Sequence, residues 1–484
     1  MKRLSIFLIV LGLLSACSKD FLETSPTNQI SDADIFSTVD GCQTVLDGVS
    51  RHMRAYHLNA HDAFGVKALD LAQDLMGEDM VMSRHHWFGW DYRLDNGEQT
   101  YRRVLHTWQT FYQPMNNINN ILVNIDDATG TSLSQKMNLK GQALALRAYC
   151  YHNLVEHFQH TYAKDPNAPG VPIYTAPTQE GNPRATVAAV YARIVEDLDE
   201  AITLMTNHPH PRRHISDINL NVAHGLRARA ALYMQDWPKA RDHAAAARQG
   251  VALNTRAQFA QGFDNWATQS WMWGLEINDE QSTIYASFFS HLDMTIGGYG
   301  GLNLGPKLVS QALYNQMIDG DIRKDLIGDF TIPAGITLPF VNRKLNSAGG
   351  KEFAADYVMM RPEEMLLIEA EARYHLGDEP GARGLIQELH NNRFVTAPTF
   401  NASGPALLQA ILLERRIELW GEGFAMRDIR RLQRPLDRTG SNHQAYANNP
   451  LYLQLPANDR LFIYRIPISE MDNNPNITPA DQNP

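Results

Sequence analysis

Arg84-His85-His86-Trp87-Phe88-Gly89-Trp90-Asp91-Tyr92 sets four aromatic rings within six positions, beside an arginine and two histidines. Such a mixture suits a saccharide. A sugar offers an apolar C–H face to a flat ring and a rim of hydroxyls to neighbouring polar groups. Trp87, Trp90 and Tyr92 are therefore candidate ligand contacts. A second candidate segment runs from Ser287-Phe288-Phe289-Ser290-His291 to Gly297-Gly298-Tyr299-Gly300-Gly301. Its glycines suggest an adaptable loop of the kind that carries binding on a rigid scaffold. The expectation is that Trp87, Trp90 and Tyr299 lie together on an exposed face, with Tyr92 and His291 supplying polar contacts. A competing reading has Trp87 and Phe88 plugging the core, since large aromatics are mostly buried.

Other chemistries find weaker footholds. His57 and His61 are four apart and could share a helix face beside Asp62, but no glutamate stands between them as in a zincin. His208-Pro209-His210-Pro211, with His214, is a proline-rich loop. Asp319-Gly320-Asp321 lacks the rest of a calcium loop. No phosphate loop, nucleophile elbow or paired-cysteine zinc pattern occurs. The expectation is no metal, no cofactor and no catalytic residue. A surface glycoside hydrolase would need two carboxylates about 5–10 Å apart across a cleft, and no acidic pair occurs in a recognisable catalytic setting.

The elements that would position these residues are mainly helical. Ala33 to Ile125 is mostly helix-patterned around the aromatic stretch. Gln135 to Phe158 carries apolar residues at Leu139, Ala143, Leu146, Tyr149 and Cys150, the 3.6-residue period of a one-sided buried helix. A turn-rich stretch then leads to a helix at Val187–Met205. An internal repeat follows. Ala228-Arg229-Ala230 with Gln235-Asp236-Trp237-Pro238-Lys239-Ala240-Arg241 recurs as Ala370-Glu371-Ala372 with Gly377-Asp378-Glu379-Pro380-Gly381-Ala382-Arg383. Each copy predicts a helix with small packing residues, a tight turn, and a second helix opened by proline, the logic of a tetratricopeptide hairpin. Residues 251–355 differ: they are Gly-rich and aromatic, and predict loops and short strands inserted between the two hairpins. Trp271 and Trp273 alternate there in a strand-like, structural way. The fold class expected is mainly α, with tetratricopeptide-like hairpins in one body and an irregular insertion.

The N-terminus adds a compartment. Lys2-Arg3, an apolar run from Leu4 to Leu14, and Leu14-Ser15-Ala16-Cys17 have the layout of a secretory signal. The run is shorter than the ~20 residues that span a bilayer. Residues 1–16 are thus expected to be a lipoprotein signal peptide, Cys17 the acylated residue, and 17–34 a tether to a domain over 35–484. A formal net charge of −10 argues against a nucleic-acid partner. Cys42 and Cys150 fall in helix-like runs where a buried unpaired thiol is expected, although a disulfide between them is compatible with the compartment.

Six segments in order resemble the SusD/RagB family of nutrient-binding outer-membrane lipoproteins. They are Asp20-Phe21-Leu22-Glu23 with Pro26; Leu144-Ala145-Leu146-Arg147-Ala148-Tyr149; and Tyr191 to Leu198. The others are Arg361-Pro362-Glu363 to Ala372; Glu414-Arg415-Arg416-Ile417-Glu418-Leu419 with Glu422-Gly423 and Arg427-Asp428-Ile429; and Ile466-Pro467-Ile468-Ser469-Glu470 with Asn474-Pro475. Ala425 and Met426 depart from the arginine and large aromatic often found there. Motif charges such as Glu369, Glu371 and Arg415 are expected to be packing or ion-pair residues. The resemblance implies a binding protein rather than an enzyme, lipid-anchored in the outer membrane and facing outward. It implies capture of an oligosaccharide or other nutrient and delivery to a SusC-like TonB-dependent channel. It also implies four tetratricopeptide-like hairpins, with ligand contacts between the early helices. The alternative is a helical-repeat scaffold that binds protein without a small-molecule site.

Overall fold

The computed structural model describes residues 32–130, 132–444 and 451–484. The expected signal peptide, Cys17 and most of the tether lie outside them. Among the described residues no helix is long and apolar enough to cross a membrane.

The long helices follow the sequence pattern closely. We label them α1 (Val39–His52), α2 (Val66–Met76), α3 (Arg102–Tyr112), α4 (Met115–Asn124), α5 (Leu133–Phe158), α6 (Val187–Asn207), α7 (Leu220–Met234) and α8 (Trp237–Ala247). After the insertion come α9 (Pro362–His375), α10 (Glu379–Asn391), α11 (Pro405–Glu418) and α12 (Ala425–Arg431). Ser132 starts α5 by accepting from Gln135 N, and Thr186 starts α6 by accepting from Ala189 N. Each satisfies one of the donors that a helix start leaves unpaired. From Asn138 onward nearly every residue of α5 is buried, so it is the central rod of the body. Its Arg147 grips Asp197 of α6 through two bonds of 2.8 and 2.7 Å. Two of the family-like segments are therefore joined by a buried ion pair.

The repeat is real in three dimensions. α7 with α8 and α9 with α10 form two hairpins, and α8 packs on α9. At the turns Gln235 and Gly377 take the left-handed conformation, with φ of 59° and 80°. One residue on, Asp236 and Asp378 accept from Lys239 N and Gly381 N, with Pro238 and Pro380 in the first turns. Trp237 stacks on His375 at 3.9 Å, stitching one hairpin to the other. Ala230 and Ala372 are 1% and 0% exposed. Ala372→Leu is expected to cost about 1–3 kcal/mol of stability, as overpacking does in a close-packed core. Equilibrium denaturation would check it, and an unchanged midpoint would mean that the pocket around Ala372 has room.

Charged motif residues have structural roles, as expected. Arg415 and Arg431 both bind Asp428, and Arg431 also holds Glu371. Glu369 accepts from Arg248 and Arg373. At Met426 the departure from the family pattern is fully buried. Ala425 N donates to Asp74, which also accepts from Gly423 N. Cys42 and Cys150 are free and buried, as the packing reading has it.

The strands are short and pair two by two. They are β1 (Met80–Met82), β2 (Trp273–Leu275), β3 (Lys307–Val309), β4 (Ile327–Thr331), β5 (Thr337–Asn342) and β6 (Tyr357–Met360), with two further small pairs elsewhere. β2 pairs antiparallel with β6, burying Trp273, and Trp271 beside it is also buried. The pair that matters for function is β1 with β3, in the register Met80↔Val309 to Met82↔Lys307. Ser83 N continues the ladder to Pro306 O at 3.3 Å. The antiparallel pairing brings the chain that leaves β1, residues 83–92, against the chain that enters β3, residues 297–306. It joins the two aromatic segments singled out in the sequence.

Candidate ligand-binding site

The segment from Arg54 to Phe64 is a series of turns, not a continuation of α1, so His57 and His61 do not share a helix face. His57 turns inward, 4.7 Å from His52 and 5.6 Å from His106. His61 turns the other way and joins the aromatic segments. Its ring stacks on Trp87 at 5.4 Å and 18°, and lies edge-on to Tyr56 at 6.0 Å and to Tyr299 at 5.8 Å. Tyr299 Oη and His61 Nδ1 share a 2.7 Å hydrogen bond. His86 tilts against Tyr299 at 4.8 Å, and Tyr285 meets Tyr299 edge-on at 6.0 Å. Arg102, at the start of α3, holds its guanidinium 5.5 Å from the centre of the Trp87 ring, a cation–π contact.

Exposure separates rim from floor. Tyr285 is 44% exposed and Tyr56 37%, while His61, His86, Trp87 and Tyr299 are half-buried. Left-handed backbone helps to present the rim. Ile284, immediately before Tyr285, has φ 50°, and Leu58 and Asn59 have φ 55° and 48°. A β-branched residue in that region is strained and persists only where its surroundings hold it.

Beneath Tyr299 lies a fully buried layer. His291 stacks on its ring at 4.6 Å and 11°. The His291 ring pairs with the His61 carbonyl through Nε2 at 2.8 Å and with Lys307 Nζ through Nδ1 at 3.3 Å. Burial, then the Lys307 charge, hold the His291 pKa well below the usual histidine range. Burial also pushes Lys307 down to about 7, with Asp91 pulling the other way. His86 is lowered by burial and by Lys307. Burial thus disfavours the charged form of both imidazoles. Asp62 and Asp91 are held by Arg102 and Arg103: Arg102 Nε and Nη2 donate to Asp62 at 3.2 and 3.1 Å, and Arg103 grips Asp91 at 2.8 and 2.9 Å. Each carboxylate fixes the guanidinium it pairs with.

The structure brings together some of the expected residues and separates others. Trp87 and Tyr299 meet through His61. Trp90 is 45% exposed but packs edge-on against His85 at 4.6 Å, outside that ring cluster. Tyr92 is buried, with its Oη 2.8 Å from His443 Nδ1 and Arg438 5.0 Å from its ring centre. Burial pushes its pKa up to about 12. Tyr92 and His291 therefore cannot supply direct ligand contacts; both are internal supports. Phe88 is a core plug, as the competing reading had it, whereas Trp87 is not.

The glycine-rich loop is also a correction. A Cβ at Gly298 or Gly301 would collide with the backbone of Ser290 or Ile296. These glycines permit close approach rather than freedom, and Gly300 N and Tyr299 N are tied to Ser290 O and Oγ at 3.0 and 3.3 Å. Tyr56, Tyr285 and Arg102 were not legible as site residues, and His61 was legible only as a metal-ligand candidate paired with His57. The available signals were an aromatic beside a turn at Tyr56 and Tyr285 beside a segment already singled out.

The arrangement is a platform of half-exposed rings on a rigid floor, edged by a guanidinium and two phenols. Such a surface can stack the C–H face of a sugar and hydrogen-bond its rim. A family model described as starch-binding, associating with the outer membrane, matches residues 20–222. A SusD family model matches residues 335–484. The chain belongs to the SusD/RagB family. A SusD-like carbohydrate-binding protein from Bacteroides vulgatus is 29% identical with a TM-score of 0.81, covering 92% of this chain and 98% of that one. A putative sugar-binding protein from the same species is 24% identical with a TM-score of 0.77, covering 93% and 98%. Surface glycan-binding protein A from Bacteroides thetaiotaomicron, solved in complex with laminarihexaose, shares the fold at 15% identity and a TM-score of 0.69, covering 92% and 99%. A comparison with curated proteins finds no match.

Proposed function

We propose that this SusD/RagB protein captures a glycan at the outer face of the cell and passes it to a SusC-like TonB-dependent channel. The observation that carries the ligand part is the ring platform of Tyr56, Trp87, Tyr285 and Tyr299, held from below by His291 and from the side by His61 and Arg102. Family membership supports it, and so do the carbohydrate- and glycan-binding descriptions of the proteins that share the fold. The activity is binding rather than catalysis, since Asp62 and Asp91 beside the platform are already committed to arginines. Cys17 is the acylated anchor, and the tether over 17–34 leaves the helical body free to sit over the channel.

The test is a panel of surface glycans titrated against the purified body, with fractionation of wild type and Cys17→Ala run alongside. At least one oligosaccharide should bind. The Cys17→Ala protein should leave the membrane fraction in a strain lacking the channel. Absence of binding across neutral and acidic glycans would remove the ligand reading, and a Cys17→Ala protein still in the membrane would remove the anchor.

A further inference from the structure

A second cleft, of about 300 Å³, lies among the end of α1, the approach to α7 and residues 275–281. Its lining includes Arg54, two residues before Tyr56, and Gln281, four residues before Tyr285. Three arginines face it: Arg51 in the last turn of α1, Arg54 in the turn that follows it, and Arg213 ahead of α7. Two carboxylates also line it, and both are engaged. Asp47 accepts from Arg213 and Gln43, and Glu276 from His214 and Trp266.

Arg51 and Arg54 are different. Among the described residues neither makes an ion pair or a side-chain hydrogen bond, although they sit close enough for the charge of one to act on the other. Arg54 is half-buried. Burial first, and then the Arg51 charge, lower its pKa, against a weaker pull from Tyr357, Glu276 and Asp356. Asp356 is itself bound to Lys351 at 2.5 Å. Arg54, half-buried, and Arg51, exposed, line the same cleft with no carboxylate in an ion pair with either, so their N–H donors are open to an oxyanion that accepts from both. Ser50 and Asn278 add neutral polar groups to the same walls.

We infer that this cleft binds an oxyanion, the carboxylate or sulfate of an acidic glycan whose sugar rings lie on the aromatic platform. That a glycan carries the anion rests on the function proposed above; the anion site itself does not. Guanidinium groups suit either oxyanion through paired N–H donors.

Two measurements on the full folded body test it, using wild type and the Arg51→Gln/Arg54→Gln double variant. Both side chains lack ion pairs, so the variant should fold. In the first, the melting temperature is followed in sodium sulfate and in sodium chloride of equal ionic strength. Wild type should gain an extra rise in sulfate that the double variant lacks. An equal rise in both proteins would overturn the anion site. In the second, a galacturonate hexamer, a sulfated chondroitin hexasaccharide and a neutral glucan hexamer are titrated. One of the two acidic oligomers should bind, weaken about tenfold in the double variant, and weaken further with salt. The oligomer that does so identifies carboxylate or sulfate. Neutral binding that depends on Tyr285, without an arginine-dependent sulfate effect, would overturn this inference and leave the platform standing. An arginine-dependent sulfate effect without any glycan binding would do the reverse.

Discussion

Glu418→Gln is expected to lower the stability of this protein by about 3–5 kcal/mol, the cost of leaving buried cations without their counter-charge. Glu418 is fully buried at the end of α11 and accepts from three arginines. Arg393 donates at 2.7 and 2.9 Å, Arg361 at 3.1 Å and Arg323 at 3.2 Å. Arg361 precedes α9, Arg393 follows α10, and Arg323 belongs to the inserted region, so one carboxylate ties three parts of the chain together. The arginines hold Glu418 well below the usual carboxylate range against the opposing effect of burial. Arg361 and Lys344 likewise bring Glu422 down to about 2. Because these folded-state values are depressed, the stabilisation is complete above the ordinary glutamate value of about 4.3. It is lost as pH falls from there toward about 2. Chemical denaturation at pH 7 and at pH 3.5 would measure both effects. Wild type should be weaker at pH 3.5, and Glu418→Gln should lose less between the two conditions. Equal stability of the two proteins at pH 7 would mean that the arginines find water or another partner when Glu418 is neutralised.

Tyr285→Ala should weaken glycan binding by about 2 kcal/mol, roughly thirtyfold, as removal of a stacking anchor does. Its 44% exposure means that little of the core depends on it, so the melting temperature should stay near that of wild type. Tyr299→Ala should lose both binding and stability. Its ring lies between His291 and the rim, and its hydroxyl is bonded to His61, which in turn backs Trp87 and Tyr56. Truncating such a ring costs about 3–5 kcal/mol where it is well packed. Tyr299→Phe keeps the stack and removes one hydrogen bond, a loss of about 1 kcal/mol. Calorimetric titration paired with thermal melts separates the cases. Full glycan affinity in both Tyr285→Ala and Tyr299→Ala would move the site away from this platform.

The helical body was legible from the sequence because its signals are local. The 3.6-residue period of α5, the Asp-x-Pro starts of α8 and α10, and the small residues at Ala230 and Ala372 each act within a few residues along the chain. The acid–base motifs were legible as structural for a related reason: their charges lie on helix faces that pack, where Arg147 meets Asp197 and Arg431 meets Glu371. The segment after α1 was harder. His57 and His61 stand at helical spacing, yet the chain turns at Leu58 and Asn59 and sends the two rings to opposite destinations.

The binding surface belongs to the tertiary structure. Sequence alone marked residues 84–92 and 287–301 as aromatic, but it did not determine which faces of those rings meet water. That is decided by β1 pairing with β3, strands more than two hundred residues apart, and by the turn that delivers His61 between them. The pairing buries Phe88, Tyr92 and His291, leaves Trp87 and Tyr299 half-open, and draws in Tyr56 and Tyr285 from other loops. Local pattern specifies which residues form a helix or strand. Exposure of a ring is set by what distant chain comes to rest against it, and no short-range periodicity carries that information.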